Sequence, residues 1–170
     1  MVGMHVDSSG SGAPLVMLHG WGMHGGLWGK AVKQLAQHVR VMAVDLPGHG
    51  YSAPPSPRWQ EKELNREFSL DAIVDQLSEQ FSEPLTVCGW SLGGQIALRW
   101  AMRHSQQVNR LVLVASTPCF VHRPDWQCAM VAETLQEFSV ALLKNYGPTL
   151  KRFVALQVRG SEHESELLTG

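Results

Sequence analysis

An α/β fold, built on a doubly wound and mostly parallel sheet with a helical cap, is predicted by three features of this 170-residue sequence. Short apolar runs alternate with segments of helical spacing, the pattern of strands joined by crossover helices. Three of those runs end in glycine-rich turns: His19-Gly20-Trp21-Gly22, Asp45-Leu46-Pro47-Gly48-His49-Gly50 and Gly89-Trp90-Ser91-Leu92-Gly93-Gly94. Past residue 118 the strand-like runs stop while helical periodicity continues. A core in residues 1–118 and a partial cap or lid in residues 119–170 follow from that change of texture.

The run Leu15-Val16-Met17-Leu18 has the uninterrupted apolar character of a strand buried on both faces, and the glycines after it end the strand. Trp28, Ala31, Val32 and Leu35 recur at helical spacing, and residues 39–44 form a second strand. Prolines and charges between Ala53 and Asn65 predict a surface excursion. Leu70, Ile73, Val74, Leu77 and Phe81 then mark one face of a helix closed by Pro84. Residues 85–88 give a third strand, a helix runs from the following turn to about Arg103, and residues 111–115 read as a further buried strand. In the last third, Met130, Val131, Leu135, Phe138 and Leu142, then Leu150, Phe153 and Val154, predict helices. The sequence ends at 162–170 in a polar tail with no strand returning to the sheet, the expected mark of a chain truncated at its C-terminus.

Composition excludes several classes of partner. Fourteen basic residues against fifteen acidic ones leave a formal charge of −1, which gives no whole-chain attraction to nucleic acid or to an anionic membrane. No apolar run approaches the roughly 20 residues needed to cross a bilayer, and Met1-Val2-Gly3-Met4-His5 lacks the regions of a signal peptide. A cytoplasmic protein, monomeric when complete, is expected. Cys88, Cys119 and Cys128 are odd in number and widely spaced, which suits reduced thiols; no spacing of His and Cys suggests zinc, and no metal or cofactor is predicted.

The chemistry lies in Gly89-Trp90-Ser91-Leu92-Gly93, a Gly-x-Ser-x-Gly turn between a short apolar strand and an amphipathic helix. A serine on such an elbow is held in a strained turn with its hydroxyl above the sheet, and the flanking glycines avoid collisions with neighbouring backbone. The amide of Leu92 opens the helix and can donate to an oxyanion. The loop after the first apolar run supplies a second donor, for which Trp21 is the candidate; each such donor is worth about 3 kcal/mol in the transition state.

Through these three glycine-rich blocks, which cover the first two-thirds of the chain, the sequence resembles the α/β-hydrolase superfamily. The elbow variant, with Val114-Ala115-Ser116-Thr117-Pro118-Cys119-Phe120 and Arg152-Phe153-Val154-Ala155-Leu156-Gln157, is similar to the carboxylesterases that hydrolyse the methyl ester of pimeloyl-acyl carrier protein in biotin synthesis. The resemblance implies Ser91 as nucleophile and Trp21 and Leu92 as the oxyanion hole flanking the ester. It implies an acyl channel lined by Phe153, Val154, Ala155, Leu156 and Gln157. The basic residues Lys144, Lys151, Arg152 and Arg159 would meet an acidic carrier protein.

In this fold the order is Ser, then Asp or Glu, then His, on loops after later strands. The histidines after Ser91 are His104, His122 and His163, and none follows a strand-like run. His104 reads as the C-terminal cap of the helix after the elbow, His163 as part of a solvated tail, and His19 and His49 as residues that stabilise their glycine turns. A serine without a base is a poor nucleophile, so the chain alone is expected to be weakly active. The elbow fixes the nucleophile but not the leaving group: a thioesterase, a lipase, a carbon–carbon bond hydrolase, or a non-catalytic fragment that binds acyl chains or the carrier protein are the alternatives.

Overall fold

The structure, a computed structural model, describes residues 3–54 and 69–160, which divide into two compact units between Pro118 and Cys119. The first unit is built on a mixed five-stranded sheet. Its order is β1 (Val6–Ser9), β3 (Arg40–Val44), β2 (Pro14–Leu18), β4 (Leu85–Trp90) and β5 (Val108–Val114). Strands β3, β2, β4 and β5 run parallel, with Leu15 opposite Val41 on one side and Thr86 on the other. Strand β1 pairs antiparallel with β3, Val6 opposite Val44.

The continuous apolar runs are explained by burial on both faces. Val16 and Leu18 of β2, Met42 and Val44 of β3, and Leu85 and Val87 of β4 point to one face. There they meet Ile73, Val74 and Leu77 of α2 (Leu70–Gln80) and Ile96, Ala97 and Trp100 of α3 (Leu92–Arg103). Met17, Val41 and Cys88 point the other way, onto Trp28 and Val32 of the short 3-10 turn Gly25–Trp28 and α1 (Gly29–Leu35). Alternate residues therefore serve opposite faces, as strand geometry requires, and each fully buried Leu or Val contributes about 1.5–3 kcal/mol.

Helix α2 starts at Ser69, whose hydroxyl accepts from Ala72 N–H at 3.2 Å. It is tied to α3 by Arg99, which grips both carboxylate oxygens of Asp71 at 2.7 and 3.1 Å, and by Arg103, which reaches Asp75 at 2.8 Å. Trp100 is fully buried, its indole N–H donating to Gln107 Oε1 at 2.6 Å.

Two expectations need correction. Residues 111–115 were read as a buried strand, yet Val112, Leu113 and Val114 of β5 are 47%, 46% and 40% exposed. The strand pairs with β4 alone among the described residues. An apolar run specifies a strand; whether a further neighbour covers it is not contained in the run. Strand β1 has no counterpart in the sequence reading, because Val6-Asp7-Ser8-Ser9 is mostly polar and exposed and is held by backbone pairing to β3.

The second unit consists of a short irregular segment and two helices, α4 (Ala132–Lys144) and α5 (Tyr146–Val158). Isolated bridges join Val121 to Met130 and Arg123 to Trp126. The helices are joined by the Phe138 and Phe153 rings, 5.5 Å apart, and by Thr149 Oγ1–H donating to Ala141 O at 3.2 Å. The helical periodicity read for this region is thus present. Most of the surface excursion at 53–65 and the tail at 162–170, including His163, lie outside the described residues.

Candidate active site

Ser91 occupies the turn between β4 and α3 with φ 52° and ψ −116°, a left-handed conformation that costs a non-glycine residue about 1–3 kcal/mol. It persists because its backbone is pinned from two directions. Ser91 N–H donates to Val114 O at 3.0 Å, and Ser91 O accepts from Gly94 N–H at 2.9 Å and from Ser116 Oγ–H at 2.8 Å. Gln95 Nε2–H donates to Thr117 O at 3.0 Å, tying α3 to the same loop. Ser116 and Gln95 were not singled out as site residues from sequence; the signal available was the small polar cluster after the fifth apolar run.

The glycines are required by close approach. A Cβ on Gly93 would stand 2.6 Å from His19 O and nearer still to Leu18 O, and one on Gly89 would stand 2.6 Å from Gly94 Cα. Helix α3 therefore starts directly against the end of β2. This packing also brings the first glycine-rich loop to the serine: a Cβ on Gly20 would lie 3.3 Å from Ser91 Cβ and 3.2 Å from the Trp90 ring.

Residues 20–23 form a turn closed by Met23 N–H donating to Gly20 O at 3.3 Å. Gly22 is its third residue with φ 74°, where glycine fits without strain. Trp21 stands at the second position, one residue from Gly20. Leu92 is the first residue of α3, so its N–H belongs to the helical turn that has no intrahelical acceptor and carries the positive end of the helix dipole. Ser91, Leu92 and Trp21 are all half-buried. The structure thus gathers these three candidates in one place.

The remaining candidates lie in the second unit. On α5, Phe153, Val154 and Ala155 are half-buried and Leu156 and Gln157 exposed. Lys151 and Arg152 on the same helix, Arg159 just beyond it and Lys144 at the end of α4 are exposed.

Behind the first loop lies a polar network. His19 is fully buried; its Nδ1–H donates to Gly20 O at 2.7 Å and its Nε2 accepts from Leu46 N–H at 2.9 Å. Desolvation lowers its pKa to about 4, outweighing the opposing pull of the Gly20 carbonyl, so the ring is neutral at neutral pH. His49 Nδ1–H donates to Pro47 O at 3.0 Å and its Nε2 accepts from Gly22 N–H at 3.1 Å. The Asp45 carboxylate accepts from Gly25 N–H at 2.6 Å and Tyr51 N–H at 2.8 Å. Burial raises its pKa, and the bonds from Tyr51 and Gly25 overcome that and hold it below the ordinary value. Asp45 was read only as the end of a strand; an acid wedged between an apolar run and a Pro-Gly turn is the signal that could have found it.

Neither of these histidines can serve Ser91 as a base, since both ring nitrogens of each are engaged with backbone. His104 is the C-cap of α3, whose N-cap is Ser91, and so stands about 20 Å along the axis from it. Among the described residues no imidazole bonds the Ser91 hydroxyl, and no group of His, Cys, Asp or Glu could hold a metal ion.

Residues 13–168 match the family model described as alpha/beta hydrolase fold. The chain is 45% identical over 172 residues to the pimeloyl-[acyl-carrier protein] methyl ester esterase of Nitrosomonas europaea, covering 99% of this chain and 63% of that protein. It is 41% identical to the protein of the same name from Nitrosospira multiformis, covering 98% and 62%. Among solved structures it is similar to an esterase from Exiguobacterium antarcticum with a TM-score of 0.82 at 23% identity, covering 97% of this chain and 60% of the other. The chain spans 60–63% of the length of the curated relatives it matches.

Proposed function

The chain belongs to the α/β-hydrolase fold family, and from that premise we propose that it carries the nucleophile and oxyanion site of a carboxylesterase acting on the methyl ester of pimeloyl-acyl carrier protein. The observation that carries the reading is the strained Ser91, set between the start of α3 and the Gly20 loop. Its Oγ attacks the ester carbonyl carbon, and the developing oxyanion is stabilised by the amides of Leu92 and Trp21. Methanol leaves with a proton, the acyl group remains on Ser91, and water releases the free acid. The proton lost from Oγ needs a base, and among the described residues of the first unit no imidazole hydrogen-bonds the Ser91 hydroxyl.

The substrate rests on similarity to the two curated esterases at 45% and 41% identity. In this reading the second unit is the cap, Phe153 to Gln157 line the acyl channel, and the exposed Lys144, Lys151, Arg152 and Arg159 attract the acidic carrier protein. No described helix is long and apolar enough to cross a membrane.

Labelling with a fluorophosphonate tests the nucleophile, because its strongly electrophilic phosphorus traps a serine held in attacking geometry, slowly where no base assists. Adduct mass on the Ser91 peptide, absent from Ser91→Ala, is expected. Labelling that survives Ser91→Ala rejects the assignment. A substrate panel then tests the ester: preference for long triglycerides over the carrier-protein methyl ester rejects this substrate while leaving the hydrolase.

A further inference from the structure

We infer that His19 and His49 form a reciprocal clasp that positions the loop at residues 20–22 against Ser91. The inference deepens the reading of Ser91 as a nucleophile and rests on it for its functional consequence. Each imidazole belongs to one glycine-rich loop and binds the other. His19 ends the run into the first loop and accepts Leu46 N–H from the second; His49 sits in the second and accepts Gly22 N–H from the first. Each ring also closes its own loop, His19 onto Gly20 O and His49 onto Pro47 O.

A backbone N–H can only donate and a carbonyl can only accept. The four partners therefore fix the same tautomer on both rings, with hydrogen on Nδ1 and a lone pair on Nε2. The rings lie 5.2 Å apart with planes at 57°, so the two crossing bonds form side by side. Asp45 adds a third link between the loops by accepting Gly25 N–H while it holds Tyr51 N–H in its own.

The geometry answers a specific need. A short turn containing Gly20 and Gly22 has much backbone freedom to lose on ordering. An oxyanion donor acts through being already in place. Tethering Gly22 N–H to His49 and Gly20 O to His19 fixes the turn on both sides of Trp21. His19 and His49 are positioning residues, spent on backbone and unable to exchange a proton with substrate.

The half-buried His49 is the residue to vary, in the full chain: His49→Ala removes the acceptor, and His49→Gln offers an amide oxygen to Gly22 N–H. Amide exchange read by NMR is expected to quicken about tenfold or more at Gly22 and Trp21 in His49→Ala, with Val87 and Ile96 unchanged, and to return towards the native rate in His49→Gln. Equal exchange in all three proteins overturns the clasp, whatever Ser91 does. Fluorophosphonate labelling of Ser91 is expected to slow about tenfold to a hundredfold in His49→Ala, with recovery in His49→Gln. A loop that loosens without slowing the label overturns the positioning role. A native chain that takes no label removes the nucleophile reading, while the exchange rates still decide the clasp.

Discussion

Helices α3 and α4 have almost the same length, 12 and 13 residues, and both carry an apolar stripe, yet α3 buries five residues and α4 none. The difference lies in what each helix is built against. Helix α3 follows directly from the end of β4, its Gly93 pressed on the backbone at the end of β2, and Trp100 packs in the core among residues of the sheet. Helix α4 has α5 beside it, and the contacts between them include the Phe138–Phe153 ring pair and the Thr149–Ala141 hydrogen bond. An amphipathic pattern states that a helix has a face to cover; the covering surface comes from the topology around it.

This contrast is open to direct attack, most strongly at Trp100. Trp100→Ala removes a fully buried side chain and the bond to Gln107, and is expected to cost about 3–5 kcal/mol in the urea midpoint. A loss below about 1 kcal/mol would mean that α3 is no better anchored than α4.

Acid should act on the same unit. In the unfolded chain His19 binds a proton near pH 6.5, whereas in the folded chain it stays neutral until about 4, among Asp45, His49 and His24. Between those values the unfolded state binds more protons, so stability falls as pH drops through the window, by about 3 kcal/mol in all, and this contribution then levels off. The depressed Asp45 contributes in the same direction, its share being lost as pH falls through its folded pKa. The Phe138–Phe153 contact has no ionisable member and should not respond. Urea midpoints at pH 7, 5.5 and 4 read the effect; a flat profile would show that folded His19 takes up its proton normally.

The smallest effect is expected on α4. Leu143 is 89% exposed, and Leu143→Ser should leave the midpoint within about 0.5 kcal/mol. A cost above about 1.5 kcal/mol would show that the exposed side of α4 is covered in solution.

Much of the site could be read directly from residues. Gly89 to Gly93 announce the elbow because the collisions at Gly89 and Gly93 leave no other residue type there, and the strands β2, β3 and β4 are legible because burial on both faces makes them continuously apolar. Polar β1 escaped because its stability comes from pairing with β3, which no local pattern encodes. The exposure of β5 escaped for the opposite reason, since Leu111-Val112-Leu113-Val114 looks the same at an edge as in the middle of a sheet. His19 and His49 were legible as stabilisers of their turns, but the exchange of partners between them joins positions 27 residues apart and appears only in three dimensions.

The backbone of Ser91 sets folding against function at a single position. Glycine would occupy φ 52° and ψ −116° without the penalty a serine pays there, and would leave the bonds to Val114 and Ser116 intact because both use main-chain atoms of residue 91. A selection that ranks variants by thermal tolerance alone will therefore drift towards glycine at 91 and discard the hydroxyl. On the proposed role of Ser91 as nucleophile, the serine endures only where that reaction is itself under selection, which makes residue 91 the position that directed evolution for robustness would first replace.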